Sequence, residues 1–199
     1  MKDNQAIKTI QYALKNKPVI TSLVTEDDLD AILGTTSNII FLLKGDIFTL
    51  GNYAERIRDA GKLIFVHFDL IEGIGKDQMG VRYLANEIGI DGIVTTKSNI
   101  ILAAKKYGMM TIQRLFVFDS VSLENGIKTI KNSQPDAIEV LPGMVIPRIS
   151  KRIQSELGVP VIAGGLILDL QDLELALDNG AIGISTSAKE LWQWQDMKA

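Results

Sequence analysis

The chain has 199 residues, 46% of them hydrophobic and 23% charged, with a net charge of −3, the balance of an ordinary soluble globular protein. It has no cysteine and a single histidine, which excludes disulfides, thiolate metal sites, cysteine nucleophiles and multi-histidine metal cages. No apolar run approaches the ~20 residues of a membrane span, and there is no excess of Lys and Arg of the kind that drives strong, non-specific nucleic-acid binding.

The first residues, Met1-Lys2-Asp3-Asn4-Gln5, are polar and lack a basic stretch feeding an apolar one. No secretory signal is therefore expected, and the cytoplasm is the expected location. Beyond them one pattern recurs: a short β-branched run, a polar turn, an amphipathic stretch, then glycine. Strands are expected over 18–23, 38–43, 63–69, 92–96, 111–117, 137–141, 161–164 and 182–185. Most are near-continuous apolar runs, as in a parallel sheet covered on both faces. Between them, apolar residues fall at helical spacing, as in Val81/Leu84/Ala85/Ile88 and Leu170/Leu173/Leu177.

Gly34, Gly61, Gly89, Gly108, Gly158 and Gly180 each follow a helical stretch, where a left-handed residue is wanted. Thr25 with Asp28 and Asp169 with Asp172 read as helix N-caps with an acidic first turn, and Pro147 suits a first helical position. Strands alternating with helices imply right-handed crossovers and a parallel sheet. The expected fold is an α/β chain, one compact (β/α)8 TIM-barrel-like domain over residues 1–199, with an open doubly wound sheet as the alternative.

In such a barrel the loops after the strands share one face, where sites collect. Strand seven ends Ala163-Gly164-Gly165-Leu166, and strand eight runs into Ser185-Thr186-Ser187-Ala188. Paired glycines let backbone N–H groups approach an anion, and the hydroxyls fall where a final helix is expected to begin. Each motif alone reads equally as a tight turn or a helix cap. Together, on adjacent strands, they favour a phosphate seat made by Gly164, Gly165, Ser185, Thr186 and Ser187.

Strand three places His67 and Asp69 on the same face as Phe65. His67 reads as a hydrogen-bonded core residue or a ligand contact. Asp69 or Glu72 could accept hydrogen bonds from ligand hydroxyls. Lys97, just past strand four, could balance a phosphate or simply be solvated, and Lys44 has the same two readings. Arg114, inside the apolar run of strand five, needs an anionic partner, of which Glu139 on strand six is the nearest. Whether that pair holds a ligand or braces the barrel is open at this level. Leu191-Trp192-Gln193-Trp194 reads as a last helix packed on the barrel, and the basic clusters Arg56/Arg58/Lys62, Lys105/Lys106 and Arg148/Lys151/Arg152 read as solvated faces. No metal, cofactor or catalytic residue is expected.

Six segments stand out in order along the chain: Phe65-Val66-His67-Phe68-Asp69-Leu70-Ile71-Glu72-Gly73, Asp91 to Asn99, Thr111 to Phe116, Pro135 to Gly143, Pro160 to Ile167, and Ser185-Thr186-Ser187 followed by Glu190-Leu191-Trp192. Together they resemble the glycerol uptake operon antiterminator proteins, which respond to glycerol 3-phosphate. The resemblance implies a TIM-barrel-like protein that binds glycerol 3-phosphate and then associates with leader mRNA, letting transcription pass a terminator. The phosphate would sit against Gly164, Gly165, Ser185, Thr186 and Ser187. The glycerol hydroxyls and charge balance would fall to His67, Asp69, Glu72, Lys97, Arg114 and Glu139. Self-association into a homo-oligomer is one way for an acidic protein to concentrate positive potential for RNA.

The alternative is an enzyme on small phosphorylated substrates, an isomerase, aldolase or phosphodiesterase. Asp69 and Glu139 could then act as acid and base, and Lys97 or Lys44 as an imine-forming amine. The sequence lacks a compact carboxylate–histidine cluster for metal-assisted hydrolysis and a second histidine for acid–base pairing.

Overall fold

The computed structural model describes residues 2–196. Strands β1 (Val19–Leu23), β2 (Ile39–Leu42), β3 (Leu63–His67), β4 (Gly92–Thr95), β5 (Met110–Phe116), β6 (Ala137–Leu141), β7 (Val161–Gly164) and β8 (Gly183–Thr186) form a closed barrel in sequential order. The closure is a parallel pairing of β8 with β1 that sets Ile20 against Ser185. The TIM-barrel expectation holds, and the open sheet falls away.

The helices are α1 (Lys2–Leu14), α2 (Leu29–Leu33), α3 (Leu50–Asp59), α4 (Gln78–Tyr83), α5 (Ser98–Lys106), α6 (Ser120–Ser133), α7 (Ile146–Leu157) and α8 (Leu170–Asp178). A π-helical turn over Leu84–Ile88 extends α4. Pro147 falls in the first turn of α7 and Asp169 caps α8, accepting from Asp172 N at 2.9 Å. Two expected ends differ. Gly34 stays right-handed at φ −74°, because the short α2 ends without reversing its backbone. Thr25 spends its hydroxyl on the Asp28 carboxylate (2.7 Å) and caps no backbone amide.

The core has two layers. Inside the barrel, Ile20, Phe41, Phe65, Val94, Ile112 and Ile162 pack with Ile10, Ala13 and Leu14 of α1, which closes the N-terminal end. This first helix is not among the elements expected from the sequence, although Ile10, Ala13 and Leu14 fall at helical spacing. Outside, the other face of each strand packs under α2–α8. Gly92 is required by this interior, since a Cβ there would run into the Phe65 ring. Two aspartates tie strand starts together: Asp91 accepts from Ile64 N at 2.8 Å, and Asp136 accepts from Thr111 N at 2.8 Å and Thr111 Oγ1 at 2.6 Å.

After β8 the described residues form 3-10 turns, Lys189–Leu191 and Trp194–Asp196, rather than the expected last helix. Trp192 and Trp194 are buried as packing residues, and Trp192 Nε1 donates to Thr186 O at 3.1 Å. None of the described helices is long and apolar enough to cross a membrane. Among the described residues, no group of acidic or imidazole side chains is arranged to hold a metal.

Candidate functional site

Alternation along β5 and β6 turns Ile112 and Ala137 into the barrel, and two residues further on it turns Arg114 and Glu139 the same way. These two are register partners across the strand pair. Arg114 Nε donates to Glu139 Oε2 at 2.7 Å, while Ser185 Oγ, arriving from β8, donates to Glu139 Oε1 at 2.6 Å. Glu139 is 0% exposed, so both carboxylate oxygens are compensated where an unpaired charge would be costly. Gly164 makes this network possible. A Cβ at that position would stand 2.5 Å from Glu139 Oε1 and 3.0 Å from Ser185 Oγ.

Above the network lies a cavity of about 290 Å³ at the C-terminal mouth of the barrel, bounded by Ser22, Leu43, Arg114, Glu139 and Leu141. Gly165, Leu166, Ser185, Thr186 and Ser187 form the wall over β7 and β8. There the backbone takes two successive left-handed steps, Gly165 at φ +67° and Leu166 at φ +55°, the second uncommon for a residue other than glycine. Thr186 Oγ1 accepts from Ala188 N at 3.1 Å, which shapes the turn that follows β8. Four of the expected phosphate-motif residues line the cavity, and Gly164 lies beside them as the strand partner of Ser185 without lining it. The expected helix start beyond them is replaced by a 3-10 turn.

Asp69 lies past the end of β3, in a 3-10 turn (Phe68–Leu70), rather than on the strand. It still reaches β4: Thr95 Oγ1 donates to its Oδ2 at 2.8 Å, Thr96 N at 3.3 Å, and Lys97 Nζ stands 3.2 Å from Oδ1. Burial alone would raise its pKa, but the bonds from Thr95 and Lys97 hold it below the usual value. Lys76, which no sequence motif marks, anchors this turn. Its Nζ donates to Phe68 O (2.7 Å) and Ile71 O and stands 5.4 Å from the Phe68 ring centre. Burial keeps its pKa below the ordinary lysine value.

His67 lies deeper, 4% exposed, with Nδ1 lacking a hydrogen-bond partner. Burial first, then the positive charge of Arg114, lowers its pKa to about 4, so the ring is neutral at pH 7. Glu72 stands apart. Its backbone bridges to Asp46, and its exposed side chain borders a separate cavity of about 180 Å³ with Lys44, Glu26 and Tyr53.

These features define a class: a closed eight-stranded βα barrel with a cavity at the C-terminal mouth over its last strands, closed below by a buried ion pair. Within it, this chain belongs to the glycerol-3-phosphate responsive antiterminator family, whose model matches residues 19–192. Among solved structures, a glycerol uptake operon antiterminator regulatory protein from Listeria monocytogenes is 35% identical, with a TM-score of 0.84 over 89% of this chain and 95% of that one. A glycerol uptake operon antiterminator-related protein from Thermotoga maritima is 34% identical, with a TM-score of 0.80 over 88% and 98% of the two chains. An Escherichia coli protein, YgcP, described as uncharacterized, is 34% identical over 181 residues, spanning 91% of this chain and 94% of that protein.

Proposed function

We propose that this chain is a cytoplasmic, glycerol-3-phosphate-responsive regulator that, with its effector bound, associates with leader mRNA of glycerol-use genes and lets transcription pass a terminator. The observation that carries the reading is the Arg114–Glu139–Ser185 network under the cavity wall of Gly165, Thr186 and Ser187, in a chain of this family. Arg114 commits Nε to Glu139, and its terminal nitrogens are donors suited to a phosphate. The glycerol end then extends toward Asp69 and Lys97 at the rim, with His67 below as a neutral polar contact. Glu72, turned to the neighbouring cavity, drops out of the reading.

The enzymatic alternative finds less support. Lys97 is half-exposed and paired with Asp69, Lys44 is exposed beside the other cavity, and Lys76 is spent on two carbonyls. An imine-forming amine is instead desolvated and free to attack. Glu139 has both oxygens engaged, which suits a fixed counter-charge better than a proton carrier.

The test is a filter-binding titration of leader RNA with and without glycerol 3-phosphate. Binding should weaken steeply with salt and tighten with effector. RNA binding indifferent to the effector, or consumption of the effector by the protein, would defeat the proposal.

A further inference from the structure

Among the described residues, apart from Tyr12, Leu102 and Leu175, the large apolar side chains left exposed stand at the end of β5, on a loop or on a first helical turn, all at the C-terminal ends of the strands. The densest group spans three consecutive strand ends: Phe116, the last residue of β5, with Phe118 just beyond it; Met144 after β6; and Leu166, Leu168 and Leu170 after β7. Phe118 is 80% exposed and Leu168 72%. The Phe116 and Phe118 rings stack in parallel, 6.0 Å apart and 3° from coplanar. The loops adjoin one another: Val117 N bonds to Leu141 O at 2.8 Å and Gly143 N to Gly165 O at 2.9 Å.

Six such side chains present several hundred Å² of apolar surface, at or above the ~300–600 Å² of the largest patch on a typical monomer. That is close to the ~800 Å² that one partner contributes to a standard stable interface. The charges around the patch suit a second copy of the same chain. Arg148, in the first turn of α7, is exposed and makes no ion pair among the described residues, while Asp119 and Asp169 are exposed on the flanking loops. Opposite charges on one face are what a self-complementary, isologous contact needs, since each copy then offers both a cation and carboxylates to the other. RNA laid on the same surface would bring phosphates against those aspartates.

We propose that the C-terminal face is the self-association surface of this protein, with two copies meeting rim to rim over their cavities. Leu166 and Leu168 belong to both the patch and the cavity wall. Docking therefore closes the mouth and removes water from above Arg114 and Glu139, where a low dielectric strengthens each ionic contact. The expected tightening of the dimer by effector rests on the function proposed above; the interface itself does not.

Sedimentation equilibrium of the full chain tests this, comparing the wild type, the double variant Phe118→Asp/Leu168→Asp, and Leu175→Asp as an exposed control away from the rim. The wild type is expected to dimerise, and the double variant to raise the dissociation constant about 100-fold or more with an unchanged far-UV circular dichroism spectrum. The control should match the wild type. Glycerol 3-phosphate should tighten the wild-type dimer. A wild type that stays monomeric with and without effector, or a dimer untouched by the rim variant, would overturn the proposal. So would a monomeric wild type whose leader-RNA binding is lost in the rim variant, which assigns the face to RNA. A rim-dependent dimer indifferent to glycerol 3-phosphate supports the interface and counts against the effector reading alone.

Discussion

Ser185 and Glu139, 46 residues apart in sequence, meet across the barrel mouth with Ser185 Oγ donating to Glu139 Oε1 at 2.6 Å. The hydroxyl that the strand-eight motif offers to a phosphate is thus already committed to a carboxylate, whose second oxygen holds Arg114. The candidate seat and the buried ion pair form one network, so a group that enters the cavity disturbs both. An incoming phosphate must draw its donors from the remaining nitrogens of Arg114 and from the turn amides, or else turn Ser185 away from Glu139.

Replacing Glu139 by Gln leaves the Arg114 guanidinium buried without its counter-charge, which costs on the order of 3 kcal/mol of stability. Saturating glycerol 3-phosphate should restore part of this by supplying negative charge. Thermal melts with and without ligand read it directly: the ligand-induced rise should be larger in the variant than in the wild type. Equal rises would separate the ligand from Arg114.

Gly164→Ala should be among the most damaging single-methyl changes on this face. The new Cβ falls 2.5 Å from Glu139 Oε1 and 3.0 Å from Ser185 Oγ, so one partner of the network must move. A loss of about 1–3 kcal/mol is expected, measured as a shift in the urea midpoint, together with weaker ligand binding. Gly61→Ala, whose added Cβ meets nothing within 4 Å, should cost only the left-handed backbone strain at that turn, about 1 kcal/mol.

His67 makes stability depend on pH in the mildly acidic range. Its folded pKa is about 4 against an ordinary 6.5, so below pH 6.5 the unfolded chain takes up a proton that the folded chain refuses. Its contribution is complete above pH 6.5, declines as pH falls towards 4, and is lost below that, a total of a few kcal/mol at most. His67→Gln should flatten this part of the stability–pH curve. An unchanged slope would show that His67 is not the group responsible.

Lys97→Met removes the 3.2 Å pairing with Asp69, but the lysine is half-exposed. The stability change should stay within about 1 kcal/mol. If Lys97 balances the ligand's charge, affinity for glycerol 3-phosphate should nonetheless fall and lose part of its salt dependence. Calorimetry at two ionic strengths separates these effects.

The barrel was legible because its strands, buried on both faces, are written as short β-branched runs with glycine at the turns. The Arg114–Glu139 pairing was legible because an arginine in an apolar run leaves few candidate partners, and the next strand carried one at the matching register. The Gly-Gly and Ser-Thr-Ser motifs stand on paired strands, and Gly165, Ser185, Thr186 and Ser187 line the cavity. What stayed hidden depends on how the chain folds back on itself. Lys76 reaches carbonyls five and eight residues earlier through an irregular loop that has no periodicity to read. Strand three was extended to Asp69 because apolar alternation persists where the chain has already turned into a 3-10 segment. Ser22, Leu43 and Leu141 look like strand residues in sequence and become cavity wall only once the barrel closes. The last helix failed because Leu191 and Trp192 bury themselves from 3-10 turns, which amphipathic spacing alone does not distinguish from one α-helical turn.

Isothermal titration calorimetry with glycerol 3-phosphate and with glycerol, on the wild type and on Ser185→Asp, bears most directly on whether an anionic guest sits over the last two strands. The expected result is one site per chain for the phosphate ester, no detectable binding of glycerol, and no binding of either by the variant, whose new carboxylate stands beside Glu139. Equal heats for glycerol and its phosphate, or undiminished affinity in Ser185→Asp, would contradict the account.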